Sequence, residues 1–372
     1  MANTSLQIGN SNWAIKEDNL LGYSTEGKIL LPQPITMTRA SAGTRVNSSG
    51  LIETVELLGS EEIENGSFTE LPLGIDWETY SPDNIVFEEG VAILNIDSSN
   101  GNVGISQEDV FTSGSIYKIV LSMKATASFN AEVVESVGAA TKNNIGDVSL
   151  TTSYQDFTFY YTATGDYDLF IHRKYGQTAG ANQSIYIKDV SVKEVTKNNL
   201  ARVDYDGTAS SLLVEPERTN LIQYSEDFTE WTTTGSATVT PNTTTSPDGA
   251  QNADTLNIVS GDFFFEPITS GAGTFTLSCY VKVASGTLDF KMQSYSLTDG
   301  ANASSNFTAN SNWQRFEFTT TVTVDSNFYP IQVSGLTGGD FQIWGGQVEA
   351  GSYATSYIPT NGESGGVTRL QD

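Results

Sequence analysis

Cysteine, histidine and positive charge are all scarce in this chain of 372 residues. A single cysteine, Cys279, excludes an intramolecular disulfide. In Phe275-Thr276-Leu277-Ser278-Cys279-Tyr280-Val281 it shares the parity of Phe275, Leu277 and Val281, so its expected role is a small buried hydrophobe. The single histidine, His172, rules out a multi-histidine metal centre and leaves at most one His base for a Ser-His-Asp arrangement. In Phe170-Ile171-His172-Arg173 it reads as a surface strand residue. Against 44 acidic residues stand 18 basic ones, a net charge of −26. That field repels phosphate backbones, and no stretch supplies a compensating basic patch, so nucleic acid is not an expected partner. No window approaches the roughly 20 apolar residues of a membrane helix. Met1-Ala2-Asn3-Thr4-Ser5 has no basic region followed by an apolar run, so neither a signal peptide nor membrane insertion is expected.

Catalytic signatures are equally sparse. A phosphate loop and a dinucleotide fingerprint are both missing. Gly362-Glu363-Ser364-Gly365-Gly366 fits G-x-S-x-G in letters, but it lies in a Gly-rich tail without the strand and helix that expose such a serine. Carboxylate pairs of the glycosidase kind are available by number, and nothing singles one out. The expectation is a chain that is not an enzyme and needs no cofactor.

What is present is the material of sheets. Hydrophobic residues make up 38% and charged residues only 17%, so Ser, Thr, Asn and Gly must supply much of the polar surface. Those residues suit exposed strands and turns and are poor helix formers. No long stretch shows a period of 3.6, whereas alternation with period two is frequent. Phe157, Phe159 and Tyr161 fall on one side of a strand, Asp156, Thr158 and Tyr160 on the other. The expected class is all-β.

An internal repeat of about 160 residues organises the chain, too long for a solenoid and suited to tandem domains. Glu64-Asn65-Gly66-Ser67-Phe68 followed by Trp77 is answered by Tyr224-Ser225-Glu226-Asp227-Phe228 followed by Trp231. Ile116-Tyr117-Lys118-Ile119-Val120-Leu121-Ser122-Met123-Lys124 is answered by Thr274-Phe275-Thr276-Leu277-Ser278-Cys279-Tyr280-Val281-Lys282. Ser153-Tyr154-Gln155-Asp156-Phe157 is answered by Asn312-Trp313-Gln314-Arg315-Phe316. Each copy closes on a strand, at Ile185-Tyr186-Ile187-Lys188-Asp189-Val190 and Phe341-Gln342-Ile343-Trp344-Gly345-Gly346. Phe157 follows Phe68 by 89 residues and Phe316 follows Phe228 by 88. Chance does not keep four anchors in order at such spacing. The repeat predicts two jelly-roll sandwiches, at 61–196 and 223–360. Around them lie an N-terminal segment (1–60), a connecting β segment (197–222) expected to pair with it, and a tail (361–372).

The flanking segments carry a resemblance. Thr38-Arg39-Ala40-Ser41, Gly50-Leu51-Ile52-Glu53, Arg202-Val203-Asp204-Tyr205 and Leu212-Leu213-Val214-Glu215-Pro216-Glu217-Arg218-Thr219-Asn220-Leu221 resemble bacteriophage structural proteins of the head-fibre, head-spike or tail-fibre type. So do Tyr224-Ser225-Glu226-Asp227-Phe228, the stretch Trp344-Gly345-Gly346-Gln347-Val348-Glu349-Ala350-Gly351-Ser352-Tyr353-Ala354-Thr355-Ser356-Tyr357-Ile358-Pro359-Thr360, and Val367-Thr368-Arg369. The first module looks like a carbohydrate-binding jelly roll inserted between two of those segments. The resemblance implies a virion component assembled in a host cytoplasm, anchored to other virion proteins as a capsid decoration, head fibre or tail fibre. It implies a homo-oligomer and contact with host-surface glycans; a purely structural spacer and a polysaccharide depolymerase are the alternative roles.

The carbohydrate-binding resemblance also implies site residues. A structural calcium in such modules joins an acid of the opening strand to an aspartate of the closing strand, positions matched here by Glu70 and Asp189. Calcium takes six to eight oxygens, so backbone carbonyls would complete the set; the other reading is two solvated surface acids. Gly345 stands where Asp189 stands in the first copy, so the second copy is expected to lack the site. Sugar rings stack on aromatic platforms beside polar groups, which makes Trp77, Tyr80, Tyr154 and Tyr160 candidates in the first module and Tyr280, Tyr295 and Trp313 in the second. Core or rim packing is the competing role for each. Parity places Tyr160 and Tyr280 opposite their strands' core residues.

Overall fold

The computed structural model describes residues 23–25, 28–30, 38–96, 103–138, 140–174, 183–269, 271–296 and 302–372. The fold is all-β, two sandwiches of antiparallel sheets, and the only helical turns among the described residues are the single-turn 3₁₀ segments Pro82–Asn84 and Phe228–Glu230. The chain divides into two compact units: Glu56–Thr196, and Met1–Val55 together with Lys197–Asp372. Of the N-terminal segment (1–60), residues 1–22, 26–27 and 31–37 lie outside the described residues, and Tyr23–Thr25 and Lys28–Leu30 form a hairpin.

Unit Glu56–Thr196 is the first module. Its first sheet runs Gln155–Thr162, Ile116–Ala125, Gln183–Thr196, Val91–Ile96, Ile85–Glu88, with Leu57–Glu61 also paired to Gln183–Thr196. Its second runs Ala140–Leu150, Phe129–Val137, Tyr167–Arg173, Gly104–Phe111, Glu78–Tyr80. The unit begins before residue 61 because Leu57–Glu61 is a strand of this sandwich, not of the N-terminal segment. The two inner faces meet in one core that includes Leu94, Ile105, Ile119, Leu121, Val133, Ile171 and Ile187. Alternation set the side of each residue, and burial of the apolar face drives the layers together.

The second module, within the other unit, repeats the plan. Its first sheet runs Thr238–Thr244, Ala253–Val259, Gly338–Ala350, Gly273–Lys282, Gln314–Val322. Its second runs Thr232–Thr234, Phe263–Ile268, Ser326–Gln332, Leu288–Ser296, Asn302–Ala309. Cys279 is fully buried in its core, as its parity predicts, and burial pushes its thiol up to about 12.

Agreement between the copies reaches single residues. Ser122 pairs with Lys188 after a bulge at Val120–Ser122, and Tyr280 pairs with Trp344 after a bulge at Ser278–Tyr280. The closing strand bulges too. There Asp189 (φ 53°) and Gly345 (φ 67°) both adopt the left-handed region, which Gly takes freely and Asp tolerates. The opening loop is tied to that bulge in each copy, by Val190 N donating to Gly66 O (3.0 Å) and Gly346 N donating to Ser225 O (2.8 Å). Phe68 packs on Trp77 at 5.2 Å and Phe228 on Trp231 at 5.1 Å.

The connecting segment does not extend a sheet of the N-terminal one, which corrects that expectation. Thr44–Val46 pairs with Ile52–Thr54, and Arg202–Asp206 with Ala209–Leu213, as separate hairpins. Val46 N donates to Asp204 Oδ1 (2.6 Å) and Arg202 Nη1 to Thr44 O (3.0 Å), so side chains do the joining. The fully buried guanidiniums of Arg39, Arg202 and Arg369 converge there on Glu215 and Asp372: Arg39 and Arg202 pair with Asp372, Arg202 and Arg369 with Glu215. Ser356 donates to Glu215 from both its amide (2.8 Å) and its hydroxyl (2.7 Å).

Candidate functional site

Each sandwich has two outer faces, and the copies differ in which one they leave open. On the first sheet of the first module the outer row is aromatic and cationic. Tyr160 is 49% exposed, its hydroxyl donates to Glu56 (2.9 Å), and Lys118 lies 5.4 Å over its ring. Lys124 sits between the rings of Tyr154 (4.8 Å) and Tyr186 (4.9 Å), and Lys188 lies 4.9 Å from Tyr154. Strand registers set this pattern: Tyr160 is opposite Lys118, and Tyr186 opposite Lys124. Lys188 also faces its neighbour Asp189 at 3.6 Å. Ammonium groups over these rings are attracted by the ring quadrupole.

The same sheet in the second module is covered by its own unit. Trp344, Thr276, Ser278, Gln347 and Glu349, all on its outer side, are buried. Ile52 and Tyr357 pack with Trp344 and Ala253 into a small second cluster against which Tyr280 and Trp313 lie half-buried. Thr355 N (2.7 Å) and Thr355 Oγ1 (2.8 Å) donate to Glu349, and Ile358 N donates to Gln347 Oε1 (2.7 Å), so the segment after Ala350 is stitched to the sheet. Trp313 donates from Nε1 to Thr245 O (2.9 Å), with Lys282 4.7 Å over its ring, the counterpart of Tyr154 and Lys124. Parity put Tyr280 on the outer side correctly; the covering segment then closed it in.

The second sheets reverse the picture. In the second module Phe264 points inward and stacks on Trp231 at 5.1 Å, which forces Phe263 and Phe265 outward. Tyr329 lies between them, 6.2 Å from Phe263 and 5.1 Å from Phe265. Phe263 is 41% exposed. Register continues this row into Gln293, opposite Tyr329, and the adjacent row into Asn327 and Tyr295, which face each other. Lys291, on the same side of its strand, donates to Ser334 O (2.9 Å). An aromatic shelf results, exposed at Phe263, half-buried at Phe265 and backed by the buried Tyr329 and Asn327, with Gln293, Tyr295 and Lys291 half-buried along its edge. Nearby, burial pushes the Glu266 carboxyl up to about 7, with the Gln223 amide pulling the other way.

In the first module this face is closed. Tyr80 meets Phe170 edge-on at 5.0 Å, and Phe170 stacks on His172 at 4.6 Å. Phe170, His172, Ser106 and Val134 are fully buried. Gly104 makes room for them: a Cβ there would stand 2.6 Å from both Phe170 and His172. His172 is thus not a surface residue, and burial lowers its pKa. Parity had placed it outside the core correctly, but a strand pattern does not show what lies over the outer face.

Trp77 is corrected as well. It is 5% exposed, packs on Phe68, and donates from Nε1 to Asn65 O (3.2 Å), so it is a core anchor. Glu70 and Asp189 are both exposed, on the opening loop and closing strand that the Gly66–Val190 bond joins; Asn65 Oδ1 accepts from the Thr69 (3.0 Å) and Glu70 (3.1 Å) amides. Among the described residues no group of three or more His, Cys, Asp or Glu side chains is placed to hold a metal. Gly362–Gly366 is a turn in which Gly362, Gly365 and Gly366 have positive φ, followed by the strand Val367–Arg369.

Phe263, Phe265 and Tyr329 were not foreseen, although three consecutive phenylalanines in a strand cannot all face one core.

No protein-family model and no curated protein matches the chain. Among solved structures it is similar to the CBM22-1–CBM22-2 tandem domain from Paenibacillus barcinonensis Xyn10C, at 11% identity over 79% of this chain and 98% of that one, with a TM-score of 0.30. It is similar to a CBM4 structure at 23% identity over 36% of this chain and 99% of that one, TM-score 0.30. The N-terminal cellulose-binding domain of Cellulomonas fimi β-1,4-glucanase C is similar at 16% identity over 36% of this chain and 95% of that one, again at 0.30. Superpositions of that quality fix neither a ligand nor a role.

Proposed function

We propose that this chain is a non-catalytic glycan-binding protein whose principal contact surface is the part of the second module's second sheet around Phe263 and Phe265. The observation that carries the reading is an aromatic row exposed at Phe263 and half-buried at Phe265, backed by the buried Tyr329 and continued by the half-buried Gln293 and Tyr295 on adjacent registers. Rings of this kind stack on the apolar face of a pyranose, and amides at the rim take the hydroxyls. A shallow open face suits an extended chain held weakly, and repetition of modules and copies would raise avidity. The Tyr154–Tyr160–Tyr186 face of the first module is a second, more cationic platform on the same reading. A glycan array probed with the full chain tests this: binding to β-linked polysaccharides is expected, and an array without signal at multivalent display overturns it.

A virion role, as capsid decoration or fibre, belongs to the same proposal. What supports it is that the phage-like segments supply Arg39, Arg202, Glu215, Ser356 and Arg369, every group of the buried ion cluster except Asp372, while Phe263 and Tyr160 lie outside them. The resemblance therefore follows the frame that carries the modules. Immunolabelling of particles would place the chain on head or tail, and absence from purified virions would end this part. Calcium held by Glu70 and Asp189 is a further proposal with its own test. Added calcium should raise the melting temperature of the first module and chelator lower it; no shift rejects it.

A further inference from the structure

The cation pairings in the second unit leave one guanidinium over. Arg39, Arg45, Arg202, Arg218 and Arg369 each reach a carboxylate there. Arg315 reaches none among the described residues, although acidic residues outnumber basic ones 44 to 18 in the sequence. Its Nη1 donates to Thr355 O (2.7 Å) and its Nη2 to Ser278 Oγ (2.9 Å), which fixes the fork. Its Nε is buried without a hydrogen-bond partner. A guanidinium held in place with a buried donor unsatisfied costs free energy, and a ligand acceptor would recover it.

Arg315 lines a cavity of about 200 Å³ together with Tyr280, Asp204, Thr44, Ser356 and Tyr357. The cavity lies where the Thr44–Val46 and Arg202–Asp206 hairpins meet the covered first sheet, on the opposite side of the sandwich from the Phe263 shelf. Drug-sized ligands need roughly 300–1,000 Å³, so the occupant is smaller, about one sugar ring. Its wall is amphipathic. Tyr280, 5.6 Å from the Arg315 guanidinium, offers ring surface, and the Asp204 carboxylate, one oxygen of which takes the Val46 amide, is placed among the lining groups to accept from hydroxyls. The wall also carries Arg45, paired with Glu53, and the carboxylates Asp204 and Glu215, which repel a doubly charged phosphate more strongly than a singly charged carboxylate held by the Arg315 fork.

We infer that the Arg315 cavity is a binding site for one small carboxylate-bearing ligand, of which a uronate ring is the form that fills it. It is separate from the glycan shelf proposed above and does not depend on it.

The test is titration of the full chain with glucuronate, glucose and acetate, read by calorimetry and by the arginine Nε–H resonance of Arg315. Glucuronate is expected to bind saturably in the millimolar range and to shift that resonance; glucose is expected to do neither. Acetate binding more weakly at the same resonance identifies the ring as part of the recognised ligand, and acetate binding equally well identifies a free small carboxylate as the source. Arg315→Gln should weaken glucuronate at least tenfold, with Arg315→Lys in between, because a point charge replaces the fork. Leu213→Trp, at another lining position, should block the cavity with Arg315 intact. Melting curves separate lost binding from lost fold. The inference is overturned if wild-type chain shows no glucuronate binding, if glucose binds equally, or if binding survives both Arg315→Gln and Leu213→Trp.

Discussion

In the first module the sheet containing Ile116–Ala125 keeps its outer face open, with lysines over its tyrosines, while the opposite sheet closes over Phe170 and His172. In the second module the equivalent first sheet lies beneath Ile52, Tyr357 and the segment after Ala350, and its partner sheet bares Phe263 on its outer side. One fold, matched down to a bulge and its left-handed residue, thus presents opposite sides in its two copies. Core positions are constrained by packing density, so they repeat; outer faces are free to be covered or bared, so they diverge. Contact surface is therefore a property of what flanks a sandwich as much as of the sandwich.

The covering of the second module can be broken most severely at its ion cluster. Replacing Arg202 by Met takes one partner from each of Asp372 and Glu215, which keep Arg39 and Arg369, so the cost should lie at the low end of the about 3–5 kcal/mol for breaking a buried pair. Calorimetry should show the Arg202→Met loss in the unit Lys197–Asp372 shares with the N-terminal segment, with the Glu56–Thr196 transition unmoved. The cluster also sets an acid limit. Burial alone would raise the Glu215 and Asp372 carboxyls, but Arg369 and Ser356 at the first and Arg202 at the second hold both below their ordinary values. Their stabilisation is present at neutral pH and is lost as pH falls through those depressed values.

The matched bulges permit a finer comparison. At Gly345 (φ 67°) a Cβ must adopt the left-handed region, so Gly345→Ala should cost roughly 1–2 kcal/mol. Asp189→Gly, at φ 53°, should change stability by no more than about 0.5 kcal/mol. Equal costs in urea melts would show that the two bulges do not carry the same strain.

A further effect has the opposite sign to the acid limit. Burial leaves Glu266 with a carboxyl titrating near 7 instead of 4.5, so the folded chain holds a proton that the unfolded chain has released between those values. Stability from this group is greatest below about 4.5 and falls as pH rises to about 7. Glu266→Gln should flatten that slope in denaturation series at successive pH values, while the first module keeps its own profile.

Much of this was legible in the residues. Alternation gave the class, the repeat gave two sandwiches, and parity gave the inward Cys279 and the outward Tyr160. Lys124 and Lys282, aligned by the repeat, each lie over an aromatic at equivalent positions. What parity does not encode is the third dimension above a face. His172 and Tyr280 are both on outer sides as read, yet one is sealed where Gly104 admits its ring and the other lies beneath a segment more than 70 residues away in sequence. Trp77 was misjudged because its indole N–H finds a backbone carbonyl only once the opening loop has folded back. The Phe263–Phe265 shelf was readable and was missed.

The most direct measurement is glycan affinity of the full chain carrying Phe263→Ala beside the same chain carrying Tyr160→Ala. A ring central to a contact surface is worth about 2 kcal/mol, so Phe263→Ala, which removes an exposed ring, should weaken binding roughly thirtyfold while leaving the melting temperature of the first module unchanged. Tyr160→Ala should have a smaller effect. Undiminished binding by Phe263→Ala would contradict the assignment of the second sheet of the second module as the glycan surface.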